Sequence, residues 1–377
     1  MAVCLAVLGA SGGARAQGVD VRGSAPGPTP GAAARDARRE RGTTEVETKR
    51  TAWRGSTLLF DQSITTQTIG VGKDYQSYNP LYEWWFAFKP RYFLFEKDKE
   101  ALSLHLWMNL YLEFTNSDTT SSKREPVLGP TTAWASYAYT LYEREGYRTA
   151  VNIGPRITLP TDRASRNAGQ LFQLGAIGGA TQSLPLAKEG KALTSARLGF
   201  SAIYMHPFNR ATTPVNGDIE QPRQDVAGRS IVSDQLRPGM NVANSLTLLF
   251  TGGVQLLPRL GMGLAYVIGN SWAYAPADVP ICTAQPTCVE PGPLREPTSY
   301  RVSTWALMSV DYDAFDGMTV SVGYYNLTSQ IGADGERRNP LYSPDARFYL
   351  TLTGNLDVIY ERLAAQPVNP MGMQARR

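Results

Sequence analysis

The chain has 377 residues, a formal net charge of +4, 42% hydrophobic residues and a mean hydropathy of -0.26. Its length fits one large barrel or a few ordinary domains, and no apolar run reaches the roughly 18 residues of a transmembrane helix. No basic stretch interleaved with aromatic residues points to a nucleic-acid partner. The composition therefore argues against a helical membrane protein and a nucleic-acid-binding protein. It leaves a β-barrel open, because half of each barrel strand is polar.

The first 16 residues have the features of a secretory signal peptide. Met1 to Leu8 is short and apolar, and Ala14-Arg15-Ala16 has the small-x-small form that signal peptidase cleaves. A positively charged start is missing, so the signal would begin upstream of Met1. We expect residues 1–16 to direct export, with a disordered Ala/Gly-rich leader as the alternative.

Residues 17–55 are rich in Gly, Pro, Ala and charged residues and show no usable periodicity. Such a composition cannot bury enough apolar surface to form a core. We predict a disordered periplasmic segment. A small plug inside a pore is the alternative.

Residues 102–114 carry the clearest pattern in the chain. The even positions are all apolar, whereas the odd positions are polar or amphipathic. The even row is Leu102, Leu104, Leu106, Met108, Leu110, Leu112 and Phe114. Side chains of a strand alternate between its two faces, so this period of two predicts a strand with one wholly apolar face. The length matches the roughly 9–11 residues that a tilted transmembrane β-strand needs.

Similar alternation recurs from residue 56 to residue 360 and predicts about twelve strands, of which the first has the poorest pattern. The strands are 56–69, 81–95, 101–115, 131–144, 148–160, 171–185, 194–207, 243–257, 261–274, 299–313, 318–330 and 346–360. Short and long connections alternate, as in bacterial outer-membrane barrels with short periplasmic turns and long external loops. We predict an all-β protein, a transmembrane antiparallel up-and-down β-barrel, followed by a C-terminal tail over residues 361–377.

Together, the signal-like start, the long amphipathic strands and the alternating loop lengths resemble bacterial outer-membrane β-barrel proteins of the porin-like class. No family-specific motif carries the resemblance. It implies location in the bacterial cell outer membrane, contact with the lipid bilayer and the barrel-assembly machinery, and passage of small solutes. Such barrels commonly finish on an aromatic residue, whereas the last strand here would stop near Tyr360. Either the tail lies in the periplasm, or the last strand is misplaced.

The polar phase of the predicted strands should line the inside of the barrel. The candidate lumen and selectivity residues are His105, Glu113, Arg156, Arg197, Arg301, Asp311, Arg347 and Asp357. A charge buried in a dry interior costs several kcal/mol unless it is paired, so either water or a network of ion pairs must fill the lumen. Water predicts a channel for passive passage of small solutes. A network predicts a closed structural or adhesion barrel that displays the external loops 208–242 and 275–298.

An enzyme is the third hypothesis, because outer-membrane phospholipase A is a twelve-stranded barrel with a Ser/His/Asn group on its lipid-facing side. His105 and Ser103 share one strand face, where a spacing of about 7 Å is too long for a direct hydrogen bond. His105 is therefore expected to be a polar lumen residue. We find no nucleophile elbow, zinc pair or phosphate-binding Gly loop. Gly175, Gly178 and Gly179 predict a bend or bulge. We expect neither enzymatic activity nor a cofactor.

Cys282 and Cys288 lie close together in a predicted external loop. An oxidising, exported compartment permits a disulfide between them, which would close a small surface loop. A metal site is disfavoured because the chain has only two histidines, His105 and His206, and neither is near these cysteines in sequence.

Overall fold

The structure is a computed structural model, and it describes most of the predicted barrel. The described residues are 51–66, 68–69, 80–115, 124–187, 193–215, 240–274, 281–282, 288–289, 300–329, 339–343 and 346–365. The predicted signal peptide, residues 17–50 of the predicted N-terminal segment and residues 366–377 lie outside this part of the chain.

Within the described residues, twelve antiparallel strands close into a barrel, which confirms the predicted fold. The strands are β1 (Thr57–Thr65), β2 (Tyr82–Lys89) with its continuation β3 (Arg91–Lys97), β4 (Glu100–Glu113), β6 (Thr131–Arg144), β7 (Tyr147–Leu159), β8 (Gln170–Pro185), β9 (Ser195–Asn209), β10 (Val242–Leu257), β11 (Leu260–Ala273), β14 (Tyr300–Phe315), β15 (Met318–Ser329) and β16 (Arg347–Asn355). The ring closes because β1 pairs with both β2 and β16, and β2 also pairs with β4.

The second barrel strand is divided at Pro90. Proline has no backbone N–H to donate to the ladder, so β2 ends before it and β3 begins after it. Both halves pair with β4. The alternation of faces continues through the break, because the side chains of Lys89 and Arg91 point inward like those of Glu83 and Trp85.

Smaller elements lie outside the barrel ring. They are the short strand β5 (Pro126–Leu128), which pairs with β4, the hairpin of β12 (Ile281–Cys282) and β13 (Cys288–Val289), helix α1 (Arg163–Asn167) and helix α2 (Leu356–Ala365). The carboxylate of Asp162 caps α1 by accepting a hydrogen bond from the Ser165 N–H. Among the described residues, neither helix is long and apolar enough to cross a bilayer.

The turns at one end of the barrel are short, as predicted. Two residues each connect β3 to β4, β6 to β7, β10 to β11, and β14 to β15. Glu145 and Gly146 in the second of these turns both have positive φ, at 52° and 87°. That conformation matches the right-handed twist of the flanking strands and so allows a two-residue connection.

The two faces of each strand differ in exposure, and β4 shows the difference clearly. Its even residues Leu104, Met108 and Leu110 are 44%, 37% and 39% exposed, whereas Trp107 and Asn109 are buried. Large apolar residues are exposed in the same outward phase on the other barrel strands. An apolar surface that surrounds the whole barrel is stable against lipid and would be unstable in water.

The predicted end of the last strand is wrong. Strand β16 stops at Asn355, and the chain continues as α2 rather than as strand up to Tyr360. The Leu356 N–H leaves the ladder and donates to the Ser56 carbonyl at 2.9 Å. Apolar residues at 356, 359, 360 and 363 fit the helical period, although 356, 358 and 360 also fit a strand. Tertiary contacts therefore decide between the two periods.

Asp357 consequently lies in the first turn of α2, not on the inner face of a strand. A carboxylate is favourable there because the N-terminus of a helix carries partial positive charge. Burial raises the pKa of Asp357, and a hydrogen bond from the backbone of Gly55 offsets part of that rise.

Candidate functional site

The candidate site is the inner wall of the barrel. It is formed by the alternate residues of each strand whose side chains point inward. Predicted lumen residues Glu113, Arg156 and Arg347 occupy this phase on β4, β7 and β16, and they are 2%, 4% and 0% exposed. Arg197, Arg301 and Asp311 occupy the same phase on β9 and β14 and are half-buried. The wall also contains residues that the sequence analysis missed.

A buried group of charged and hydroxyl side chains joins the first, second and last strands. We call Asp61, Glu83, Arg347 and Thr351 the seam cluster. Arg347 Nη1 donates to Glu83 Oε1 at 2.6 Å, with side-chain exposures of 0% and 6%. The Thr351 hydroxyl donates to Asp61, which is fully buried. Glu113 on β4 lies directly opposite Glu83 in the ladder and accepts a hydrogen bond from Thr115.

Beside the seam cluster, the inner wall is aromatic. We call Trp85, Trp107, Tyr111 and Trp134, on β2, β4 and β6, the aromatic wall. Trp85 stacks with Tyr111, with ring centroids 6.1 Å apart, and its indole N–H donates to Asn109 Oδ1 at 3.1 Å. Lys89 Nζ lies 4.2 Å from the Trp107 ring centroid, a cation–π geometry.

The register brings two predicted site residues to the same aromatic ring. Trp134 is the ladder partner of both His105 and Arg156. The His105 ring stacks on Trp134 with centroids 4.6 Å apart, and the Arg156 guanidinium lies 5.8 Å from the Trp134 ring centroid. In contrast, Asp311 lies several strands away on β14, where its carboxylate accepts a hydrogen bond from Ser309 at 3.3 Å.

The far side of the inner wall is also partly apolar. Trp305, Tyr325 and Tyr349 on β14, β15 and β16 belong to one buried cluster with the aromatic wall and with aliphatic residues of β8 to β11. The indole N–H groups of Trp107 and Trp305 are buried and make no hydrogen bond to any residue that the structure describes. The inside of the barrel therefore combines charge, aromatic faces and buried hydrogen-bond donors, whereas the lumen residues predicted from the sequence are all polar or charged.

The expected separation of Ser103 and His105 is wrong. The Ser103 hydroxyl and His105 Nε2 are 2.9 Å apart, within hydrogen-bond distance. The estimate of about 7 Å applies to the backbone spacing of two residues on one strand face, and the long imidazole side chain leans along the strand to close the gap. Within the described chain, His105 makes no hydrogen bond to a carboxylate that would orient it as a general base.

The predicted bulge near Gly175, Gly178 and Gly179 is also absent from the described ladders. The pairing of β8 with β7 and β9 runs through these glycines without a register shift. Gly175 is instead required by close approach, because a Cβ there would overlap the carbonyl oxygen of Tyr204. It also lies opposite the inward Arg156.

A closed antiparallel barrel with an apolar outer face and a charged, aromatic inner wall is the architecture of a transmembrane β-barrel. No protein-family model matches the chain, and no curated protein matches it.

Solved structures of outer-membrane proteins are similar to this barrel. An outer-membrane channel from Pseudomonas putida F1 has a TM-score of 0.46 and 9% identity, with 83% of this chain and 99% of that chain covered. The KdgM porin has a TM-score of 0.31 and 6% identity, covering 79% and 98%. The Pseudomonas putida toluene transporter TodX has a TM-score of 0.35 and 7% identity, covering 81% and 89%.

Proposed function

We propose that the protein is a channel in the bacterial outer membrane that lets small solutes pass through the barrel. The observation that carries the proposal is the inner wall, where Lys89, Arg156 and Arg347 lie beside buried aromatic faces and carboxylates. Charged side chains that line an enclosed path set the preference of a pore for one kind of ion.

Single-channel conductance in a planar lipid bilayer tests this proposal. The purified full chain is expected to give discrete openings. Lys89→Glu should shift the permeability ratio toward cations by about twofold or more, because it reverses a charge on the inner wall. Lys97→Glu, which changes an exposed residue at the end of β3, is the matched control and should leave the ratio unchanged.

A closed structural or adhesion barrel that displays the external loops is the second candidate. The direct ion pair between Glu83 and Arg347 favours it, because paired charges do not need water in the lumen. An absence of openings at all voltages, for protein that is folded and inserted, would support this candidate and count against a channel.

A lipid hydrolase is a weaker candidate, although Ser103 and His105 are in contact. That pair lies on the inner face, away from lipid. The lipid-facing histidine, His206, lies 3.0 Å from Asn244 Oδ1. Its ladder partner on β8 is Leu174, and its same-face neighbours along β9 are Tyr204 and Phe208, so none supplies a serine nucleophile. Phospholipase activity of the purified protein that disappears in His105→Ala would instead support the lipid hydrolase and count against a channel.

A further inference from the structure

Helix α2 packs against the outside of the barrel at the end where β16 stops. Gly354 lies in the outward phase of β16, and a methyl group there would be 3.4 Å from Ile359 Cδ1. In the adjacent two-residue turn, a methyl group on Gly317, whose φ is +97°, would be 3.0 Å from Ile359 Cγ1. Two residues without side chains therefore make room for Ile359 at this end of the barrel.

The helix has an apolar face that is partly uncovered. Its apolar residues recur at i, i+3, i+4 and i+7, as Leu356, Ile359, Tyr360 and Leu363. Tyr360 is 57% exposed and Leu363 is 64% exposed. Charged residues occupy the other side of the helix, where Arg362 is exposed, Glu361 is half-buried and Asp357 is buried.

This apolar face is continuous with the outer surface of the barrel. Leu58, the ladder partner of Gly354, is 49% exposed, and Phe315 at the end of β14 is 42% exposed. The Arg362 guanidinium lies 5.9 Å from the Phe315 ring centroid. This contact links the helix to the apolar outer surface of the barrel.

An aromatic pair lies at the same end of the barrel as α2. The rings of Trp53 and Tyr360 meet edge to face with centroids 5.6 Å apart. Trp and Tyr favour the boundary between acyl chains and headgroups, because one part of each ring system is apolar and the other is polar. Their position just beyond the ends of β1 and β16 is where that boundary should fall.

We propose that α2 is an interfacial helix whose Tyr360 and Leu363 insert into the periplasmic leaflet of the outer membrane. The partner is a phospholipid bilayer, which the apolar face of the helix contacts, as in other amphipathic helices that lie in the membrane interface. The inference rests on the proposed outer-membrane location.

Depth-dependent fluorescence quenching tests the inference. Single cysteines replace Leu363, Glu361 and Met308 in a full chain that carries Cys4→Ser, Cys282→Ser and Cys288→Ser. Each is labelled with an environment-sensitive dye and reconstituted in phosphatidylethanolamine/phosphatidylglycerol vesicles with spin-labelled lipid. Met308, midway along β14 and 47% exposed, serves as the reference for barrel insertion. Glu361, on the charged side, is the matched control for the helix.

The label at residue 363 should be quenched by lipid about twofold more than the label at 361, and more by a shallow than by a deep spin label. The label at 308 should respond more to the deep one. If 308 is quenched but 363 is not, and iodide reaches 363, the interfacial helix is wrong while the membrane barrel stands. Protection of 363 from both quenchers would mean that protein covers it, which also overturns the inference. An absence of lipid quenching at all three positions overturns the membrane location and the helix proposal together.

Discussion

Arg347 and Glu83 form an ion pair that two distant parts of the chain bring together inside the barrel. Both side chains are almost fully buried, so removing one partner leaves a charge without water and without its counter-ion. Arg347→Met should therefore lower the free energy of unfolding by about 3–5 kcal/mol. Urea titration of the barrel refolded in detergent, followed by tryptophan fluorescence, measures the change.

The double variant Glu83→Leu/Arg347→Met separates a lost charge pair from a lost side-chain volume. It should recover most of the stability, because two apolar residues replace two buried charges. A double variant as unstable as Arg347→Met alone would show that the ion pair is not the reason for the loss.

Single residues of the inner wall differ in how well the sequence predicts them. The inward phase of Glu113, Arg156 and Arg347 follows from period two, because their strands have clear apolar rows. Asp61 was missed because β1 has the poorest apolar row in the chain. The contact between Ser103 and His105 was missed because alternation gives the face of a residue but not the direction in which its side chain leans.

At the scale of secondary-structure elements, β8 depends on a glycine that has no room for a side chain. A Cβ at Gly175 would overlap the backbone oxygen of Tyr204, whereas the nearest atom to a Cβ at Gly178 would be Asn152 O at 3.7 Å. Gly175→Ala should lower the free energy of unfolding by about 1–3 kcal/mol or prevent folding, since the ladder must shift to admit the methyl group. Gly178→Ala is the same change on the same strand and should be nearly neutral. Heat-dependent gel migration compares the two, and equal stability would contradict the close-approach account.

The hairpin of β12 and β13 supports the predicted disulfide. Cys282 and Cys288 are direct ladder partners there. Opposite residues of an antiparallel pair have Cα atoms about 4.5–5.5 Å apart, within the range that a disulfide spans. Peptide mapping of protein from the cell envelope should yield a 282–288 cross-link that disappears after reduction. Alkylation of both cysteines without reduction would contradict the prediction.

Helix α2 shows why one element was assigned to the wrong class. Residues 356–360 satisfy both a helical and a strand period, so local pattern alone does not choose between them. Two contacts favour the helix. The Leu356 N–H donates to the Ser56 carbonyl, and the Ile359 side chain packs against Gly354 and Gly317. Both involve residues far away in sequence or in a turn, which a pattern of alternating faces does not reveal.

For the whole molecule, alternation predicts the barrel well because lipid imposes one phase on every strand. Strand β11 is an instructive case, since its outward Met262 and Leu264 alternate with inward Ala265 and Val267, and both rows are apolar. Its outward row is nevertheless predictable, because the larger apolar side chains all lie on the even positions, and the pairing with β10 and β14 keeps that phase. The fold is therefore predictable from the set of strands, whereas the composition of the inner wall depends on which strands become neighbours.

Lipid quenching of four labels on β9 tests most directly whether lipid lies outside and the charged wall inside. Leu198 and Phe200 are 55% and 40% exposed in the outward phase, whereas Arg197 and Ser201 are half-buried in the inward phase. With single labelled cysteines in the refolded full chain, spin-labelled lipid should quench positions 198 and 200 and leave 197 and 201 largely unaffected. Equal quenching at all four positions, or quenching only at 197 and 201, would contradict the arrangement.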